Sequence, residues 1–159
     1  MEIIEGQPRD FSALEQVISE TWTPTFLHRI DYSQLLYMRA HGYTKDNFAE
    51  QWEQGRKFLL AREQEEVVGY LSFCVEKEFV RIPNLYLKPS RQGQGIGKAL
   101  LDEVVRRSCE MKLKFLELNV NRYNQALYFY RRYGFYILKS MDIPYGNYYL
   151  NDYVLRYDL

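Results

Sequence analysis

Cysteine is scarce in this 159-residue chain: Cys74 and Cys109 are the only two, far apart and each in an apolar stretch. That argues against a disulfide framework and fits buried thiols in a reducing cytoplasm, which is the expected location. Histidine is equally sparse. His28 and His41 have no partner at metal-ligand spacing, and neither cysteine has one, so no metal is expected. Neither sign of charge is in excess, since Lys plus Arg number 21 and Asp plus Glu number 21. A sequence-independent nucleic-acid binder would want a basic surplus, so nucleic acid is not an expected partner. No apolar run approaches the ~18 residues of a membrane-spanning helix, so no membrane is expected either. The opening MEIIEGQPRD lacks the basic-then-apolar pattern of a secretory signal. Repeats, low-complexity tracts and linkers are missing as well. Residues 1–159 therefore read as a single domain, long enough to bury roughly two-thirds of its unfolded surface.

Glycine is present where it counts. Residues 91–101 read RQGQGIGKALL, directly after an apolar strand ending at Lys88-Pro89. A strand that turns through glycines into a helix points several unpaired backbone N–H groups at one place. The helix dipole adds roughly half a positive charge there. Such a site accepts a phosphate or pyrophosphate without basic side chains. Gly93, Gly95 and Gly97 carry no Cβ, so a diphosphate can approach the main chain closely. Two familiar phosphate loops do not fit. A Walker A loop would need Gly at Gln92 and a hydroxyl at Ala99, and a dinucleotide loop would need different glycine spacing and an earlier position in the chain.

The remaining elements follow from periodicity and punctuation. A short strand over 1–5 precedes a helix capped by Asp10 that runs to about Thr21, with Thr23-Pro24-Thr25 as its break. Helices over 33–40 and 45–55 follow, the second capped by Thr44. Period-two alternation predicts antiparallel strands over 57–62, 67–75 and 79–87. Pro83 interrupts the last of these, where a proline cannot pair on both sides, so it marks either a bulge or an ordinary strand edge. A main helix over 95–111, a strand over 115–120, a helix over 124–133 and strands over 135–143 and 148–157 complete the order βααα-βββαβαββ. The chain has fifteen tyrosines, and Tyr145, Tyr148, Tyr149, Tyr153 and Tyr157 alternate as half-buried strand residues do. Some of them are alternatively expected to line an acceptor pocket or a dimer face.

A second motif follows the strand over 115–120: Asn124-Gln-Ala126-Leu-Tyr-Phe-Tyr130-Arg-Arg-Tyr-Gly134-Phe135, with Gly134 suited to the left-handed stop of a helix. Gln92-Gly93-Gln94-Gly95-Ile96-Gly97 matches a Gln/Arg-x-x-Gly-x-Gly/Ala loop. With both runs present in this order, the chain resembles the GNAT superfamily of N-acetyltransferases. The resemblance implies an α/β fold with a central, mixed, mostly antiparallel seven-stranded sheet flanked by helices. The sheet splays between strands 4 and 5, and Pro83 and Asn84 suit that break. It also implies acetyl transfer from acetyl-CoA, as co-substrate, to a primary amine by direct attack in a ternary complex. Leu85, Tyr86 and Leu87 would offer backbone groups to the pantetheine and the oxyanion, and Gln92, Gly93, Gln94, Gly95, Ile96, Gly97 and Lys98 would cradle the diphosphate. Arg132, or Arg131, would meet the adenosine 3′-phosphate.

An amine of pKa about 10.4 needs roughly 4–5 kcal/mol to become neutral at pH 7, so a base must take its proton. The departing thiolate benefits from an acid. Tyr130 takes the acid's place in the motif, with Phe129 or Tyr128 as the aromatics it could be confused with. The base stays open. Several relatives place a glutamate where this chain has Asn119, so Glu117 is the nearest substitute on the same strand face, with Glu78 and Asp142 as weaker alternatives. Asn124 sits one residue nearer to Tyr130 than the family's asparagine, a place held here by Tyr123, which leaves its contact with CoA open. Residues 33–37 and the run from Pro144 to Tyr153 resemble the polyamine-type branch. Carboxylates at Asp31, Asp46, Glu50, Asp142 and Asp152 could then meet a small polyamine-like amine. A peptidyl amine, at an N-terminus or a lysine, and a non-catalytic acyl-CoA-binding sensor remain as alternatives. A homodimer is one expected assembly.

Overall fold

The chain is described by a computed structural model over residues 1–26 and 32–159. Seven strands form one sheet: β1 (Glu2–Glu5), β2 (Lys57–Glu63), β3 (Glu66–Val75), β4 (Phe79–Leu87), β5 (Phe115–Asn121), β6 (Tyr136–Tyr145) and β7 (Tyr148–Asp158). Their order is β1-β2-β3-β4-β5-β7-β6. All neighbours pair antiparallel except β4 and β5, a parallel pair that needs a crossover. Helix α4 (Ile96–Glu110) supplies it. The expected mixed, mostly antiparallel sheet is therefore present, and α1 (Phe11–Phe26), α2 (Tyr32–Gly42), α3 (Lys45–Glu53) and α5 (Ala126–Tyr133) complete the fold.

Alternation sorts the residues of each strand between two cores. On one face Leu116, Leu118 and Val120 of β5 pack with Ile96, Leu100, Leu101 and Val104 of α4 and Tyr130 of α5. On the other, Phe58, Leu60 and Tyr70 meet Leu14, Val17, Ile18 and Trp22 of α1 and Phe48 of α3. Leu100, Leu101 and Val104 are fully buried, and each contributes about 1.5–3 kcal/mol by leaving water. Glu117 and Asn119 alternate with the inward residues of β5, so they lie on the face away from α4 and α5.

Several local expectations need correction. Helix α1 does not break at Thr23-Pro24-Thr25 but runs to Phe26, with Pro24 in its last turn. A proline so near a helix end removes only one intrahelical donor. Cys109 is exposed, because it falls off the apolar stripe of α4, and Cys74 is only partly buried. Phe135 precedes β6 and is a core residue. Tyr149 is 60% exposed rather than half-buried. The caps at Thr44 and Gly134 are as expected. Thr44 accepts from Asn47 N–H, and at the end of α5 the N–H groups of Gly134 and Phe135 reach the carbonyls of Arg131 and Tyr130 at 3.2 and 3.0 Å. His28 and Asp31 lie outside the described residues.

Candidate active site

The parallel pairing of β4 with β5 ends early. Its register runs from Phe79↔Phe115 to Ile82↔Leu118 and stops, although β5 stays paired with β7 as far as Asn121 and β4 stays paired with β3 as far as Leu87. Between the pairs Ser72↔Asn84 and Cys74↔Arg81, β4 carries two residues, Ile82 and Pro83, against the single Phe73. That is a bulge on β4, placed where proline cannot donate to a ladder. Beyond it, Leu85 to Leu87 have lost their neighbour on the β5 side. The strands open into a V there.

Asn84 anchors the opened segment. Its side chain is buried, accepts from Ser72 Oγ at 2.7 Å and donates to Tyr43 Oη at 2.9 Å, and Tyr43 lies 3.1 Å from Tyr86 Oη. Burial pushes the Tyr43 and Tyr86 phenols well above the usual tyrosine range, so both stay protonated. The side chain of Tyr86 thus serves this network, leaving its backbone for the V.

The glycine loop sits at the open end of β4. Gly93 and Gly95 hold φ of 76° and 83°, a left-handed geometry that glycine adopts freely. A Cβ on either would meet nothing within 4 Å, so open space faces the loop. Gly95 is the N-cap of α4 with no side-chain cap, and Ala99 N–H, bonded to Gly95 O, is the first donor satisfied within the helix. The N–H groups of Ile96, Gly97 and Lys98 therefore have no intrahelical partner. Gly97 plays a packing role. A Cβ there would lie 3.1 Å from the Phe129 ring and 3.5 Å from Leu87 Cδ1. Leu87 also presses on Gly69, so its side chain is wedged between the two glycines, while its carbonyl accepts from Thr21 Oγ1 and from Gln92 Nε2. These contacts fix the loop against the V.

Basic side chains around the loop are committed elsewhere. Lys88 is bonded to Glu66, Arg91 to Glu63, and Lys98 to Asp102. A diphosphate at this loop would be held by backbone N–H groups and the helix dipole. Arg131 and Arg132 are exposed on α5.

Tyr130, on the buried side of α5, is 7% exposed in the core it shares with Leu118 and Val120 of β5, edge-on to Phe129 and Phe135. Burial raises its phenol well above the usual range. Tyr128, the alternative aromatic, is 72% exposed.

A polar row crosses the other face. Glu117 accepts from Arg81 at 3.1 Å and from Arg156 at 2.9 Å, so a guanidinium holds each carboxylate oxygen. Arg156 itself lies 3.9 Å from the centre of the Phe115 ring. Both oxygens of Glu117 are thus already engaged. Asn119 accepts from Arg81 Nη2 at 2.7 Å and donates to Asp152 at 3.3 Å. Asp142 is paired with Arg122, and Glu78, at the far end of β4, with Lys114. Asn124 turns its side-chain oxygen onto Ala126 N–H at 2.9 Å, which starts α5. On this side the β6–β7 hairpin meets α2: Tyr37 packs against Tyr145 and Tyr148, Tyr148 bonds Ser33, and Gln34 reaches the carbonyl of Tyr149. Asp46 and Glu50 are exposed on α3. Sequence alone could not single out Asp152, because its surroundings come from three strands brought together by register.

Residues 29–141 match the family model of the acetyltransferase (GNAT) domain. An uncharacterized N-acetyltransferase of Mycobacterium tuberculosis is 32% identical over 115 residues, which cover 70% of this chain and 74% of that protein. Among solved structures, the PaiA N-acetyltransferase of Thermoplasma acidophilum, in complex with coenzyme A, is similar with a TM-score of 0.85 at 22% identity, over 99% of this chain and 98% of that one. The ribosomal-protein-S18-alanine N-acetyltransferase of Escherichia coli is similar with a TM-score of 0.76 at 16% identity, over 99% and 92% of the two chains. These two likenesses speak for the fold.

Proposed function

The chain belongs to the GNAT family of acetyltransferases, and from that membership we propose that it transfers the acetyl group of acetyl-CoA to a small primary amine, polyamine-like in character. The observation that carries this is the V between β4 and β5, opening beside a helix N-terminus whose cap and loop are glycine. The diphosphate would lie on the N–H groups of Ile96, Gly97 and Lys98, and the pantetheine would extend β4 through the backbone of Leu85 to Leu87. Those same backbone donors would meet the oxygen of the tetrahedral intermediate, where a fixed hydrogen bond is worth most. Arg132 is our candidate for the 3′-phosphate.

A small acceptor is supported by the aromatic contact of the β6–β7 hairpin with α2, on the sheet face opposite α4. Free-thiol release from acetyl-CoA across spermidine, spermine, a peptide with a free N-terminus and a lysine peptide tests the proposal. Release with the polyamines and not the peptides is the expected result. Saturable CoA binding without release on any amine would instead favour a sensor, and release on peptides alone would move the acceptor class.

Tyr130 would donate a hydrogen bond to the departing sulfur. Its raised pKa keeps it protonated at working pH, so the donor is always present. Tyr130→Phe is expected to lower kcat at least about tenfold, at the modest end of acid catalysis, with acetyl-CoA affinity retained. Its melting temperature should hold, because no described residue accepts or donates a hydrogen bond at the phenol oxygen.

A further inference from the structure

We infer that Asp152 takes the proton of the acceptor amine, an assignment that rests on the acetyl transfer proposed above. Asp152 stands on β7 opposite Asn121, at the level where β5 has already parted from β4. Its carboxylate shares a sheet face with Asn119, and Tyr130 lies on the opposite face with Leu118 and Val120. A thioester held in the V therefore has a phenol on one side and Asp152 on the other. The amine arrives from the carboxylate side and the sulfur leaves toward the phenol.

Glu117 shares this face and Asp142 lies on the opposite one, and both carboxylates are compensated where they stand. Guanidinium groups hold Glu117 at both oxygens and Asp142 at one. Asp152 is 9% exposed, forms no ion pair among the described residues, and accepts one long hydrogen bond, from an amide. The charged groups facing it are Arg81 of β4 and Arg122 after β5. Both are partly compensated, Arg81 by Glu117 and Arg122 by Asp142, and Met141 of β6 stands opposite as a neutral neighbour. Burial outweighs Asn119 and these arginines, so the carboxyl is held above its usual range and is a stronger base than a solvated aspartate.

The step balances as follows. The ammonium gives one proton to Asp152 and becomes the neutral amine. Its lone pair forms the N–C bond to the acetyl carbonyl carbon while the C=O pair moves to oxygen. Collapse breaks the C–S bond and its electron pair leaves on sulfur. The second nitrogen proton ends on that sulfur by way of the Tyr130 phenol, and the proton on Asp152 passes to water.

The test is the pH dependence of kcat for the wild type and for Asp152→Asn, using whichever panel amine turns over fastest. Acetyl-CoA affinity and melting temperature are measured alongside. The wild type should lose kcat as pH falls through a pKa above the ordinary carboxylate range. Asp152→Asn should lose on the order of 100-fold at pH 7, retain acetyl-CoA affinity, and recover as pH rises toward the amine's own pKa. Asp152→Glu should restore part of the rate, as a purely structural role would not. An active wild type with an unchanged Asp152→Asn profile would overturn the assignment alone. So would a loss in Asp152→Asn that is uniform across pH. A wild type inactive on every amine would overturn the transfer reaction and the assignment with it.

Discussion

Gly95→Asp is expected to weaken acetyl-CoA binding by at least about 100-fold while moving the melting temperature by no more than about 3 °C. The separation of the two effects comes from the geometry. Gly95 is left-handed with φ of 83°, which would strain most side chains, but Asp tolerates that region better than others. Its Cβ would meet nothing within 4 Å, and an acidic group at the N-cap of α4 suits the positive end of the helix. Folding therefore has little reason to suffer. Binding does, because the carboxylate would occupy the space assigned to the diphosphate. Two like charges about 4 Å apart repel by roughly 4 kcal/mol at an effective dielectric constant near 20, and a 100-fold loss needs about 2.7 kcal/mol. Gly95→Asn is the neutral control and should lose much less. Calorimetric titration of CoA into each variant, with thermal melts, checks the prediction. Equal losses in the two variants would mean that bulk rather than charge excludes the diphosphate.

The parts of this molecule that sequence made legible are those where function needs a particular local backbone. Gly93 and Gly95 are left-handed, Gly134 ends α5, and Pro83 marks the bulge at which β4 leaves β5. Each is a short-range demand that only certain residues meet, so each leaves a mark in the chain. What stayed illegible depends on register between distant strands. Glu117 looked available for proton transfer, but Arg81 on β4 and Arg156 on β7 hold both of its oxygens. Asp152 read as one of five carboxylates that could meet a polyamine, and only the pairing of β7 with β5 places it against Asn119, with no ion pair among the described residues. Asn124 spends its side-chain oxygen on Ala126 N–H, a local hydrogen bond that the motif alone does not reveal. Thr23-Pro24-Thr25 is legible as a break, yet α1 continues through it to Phe26.

The second large effect is expected at a glycine that lies outside both motifs. Gly69→Val should destabilise the fold by about 3 kcal/mol, lowering the melting temperature by roughly 6–12 °C for a chain of this size. It should also weaken acetyl-CoA binding. Gly69 pairs with Leu87 across β3 and β4, and a Cβ there would stand 2.8 Å from the carbonyl oxygen of Tyr86 and 3.3 Å from Leu87 Cα, with the Leu87 side chain closer still. A flexible side chain could move aside, but two of these obstacles are backbone, so the strands themselves must separate. Valine's better strand propensity returns at most about 1 kcal/mol, and the clash wins. Leu87 is also in contact range of Gly97, so whatever displaces it disturbs the seat of the α4 N-terminus, and the carbonyl it offers to Thr21 and Gln92 shifts with it. Thermal melts and CoA titration of Gly69→Val and of Gly69→Val combined with Leu87→Ala separate the causes. If the backbone contact with Tyr86 dominates, the double variant regains little stability. If it regains most of it, the Leu87 side chain is the obstacle, and the spacing of β3 from β4 is softer than these distances imply.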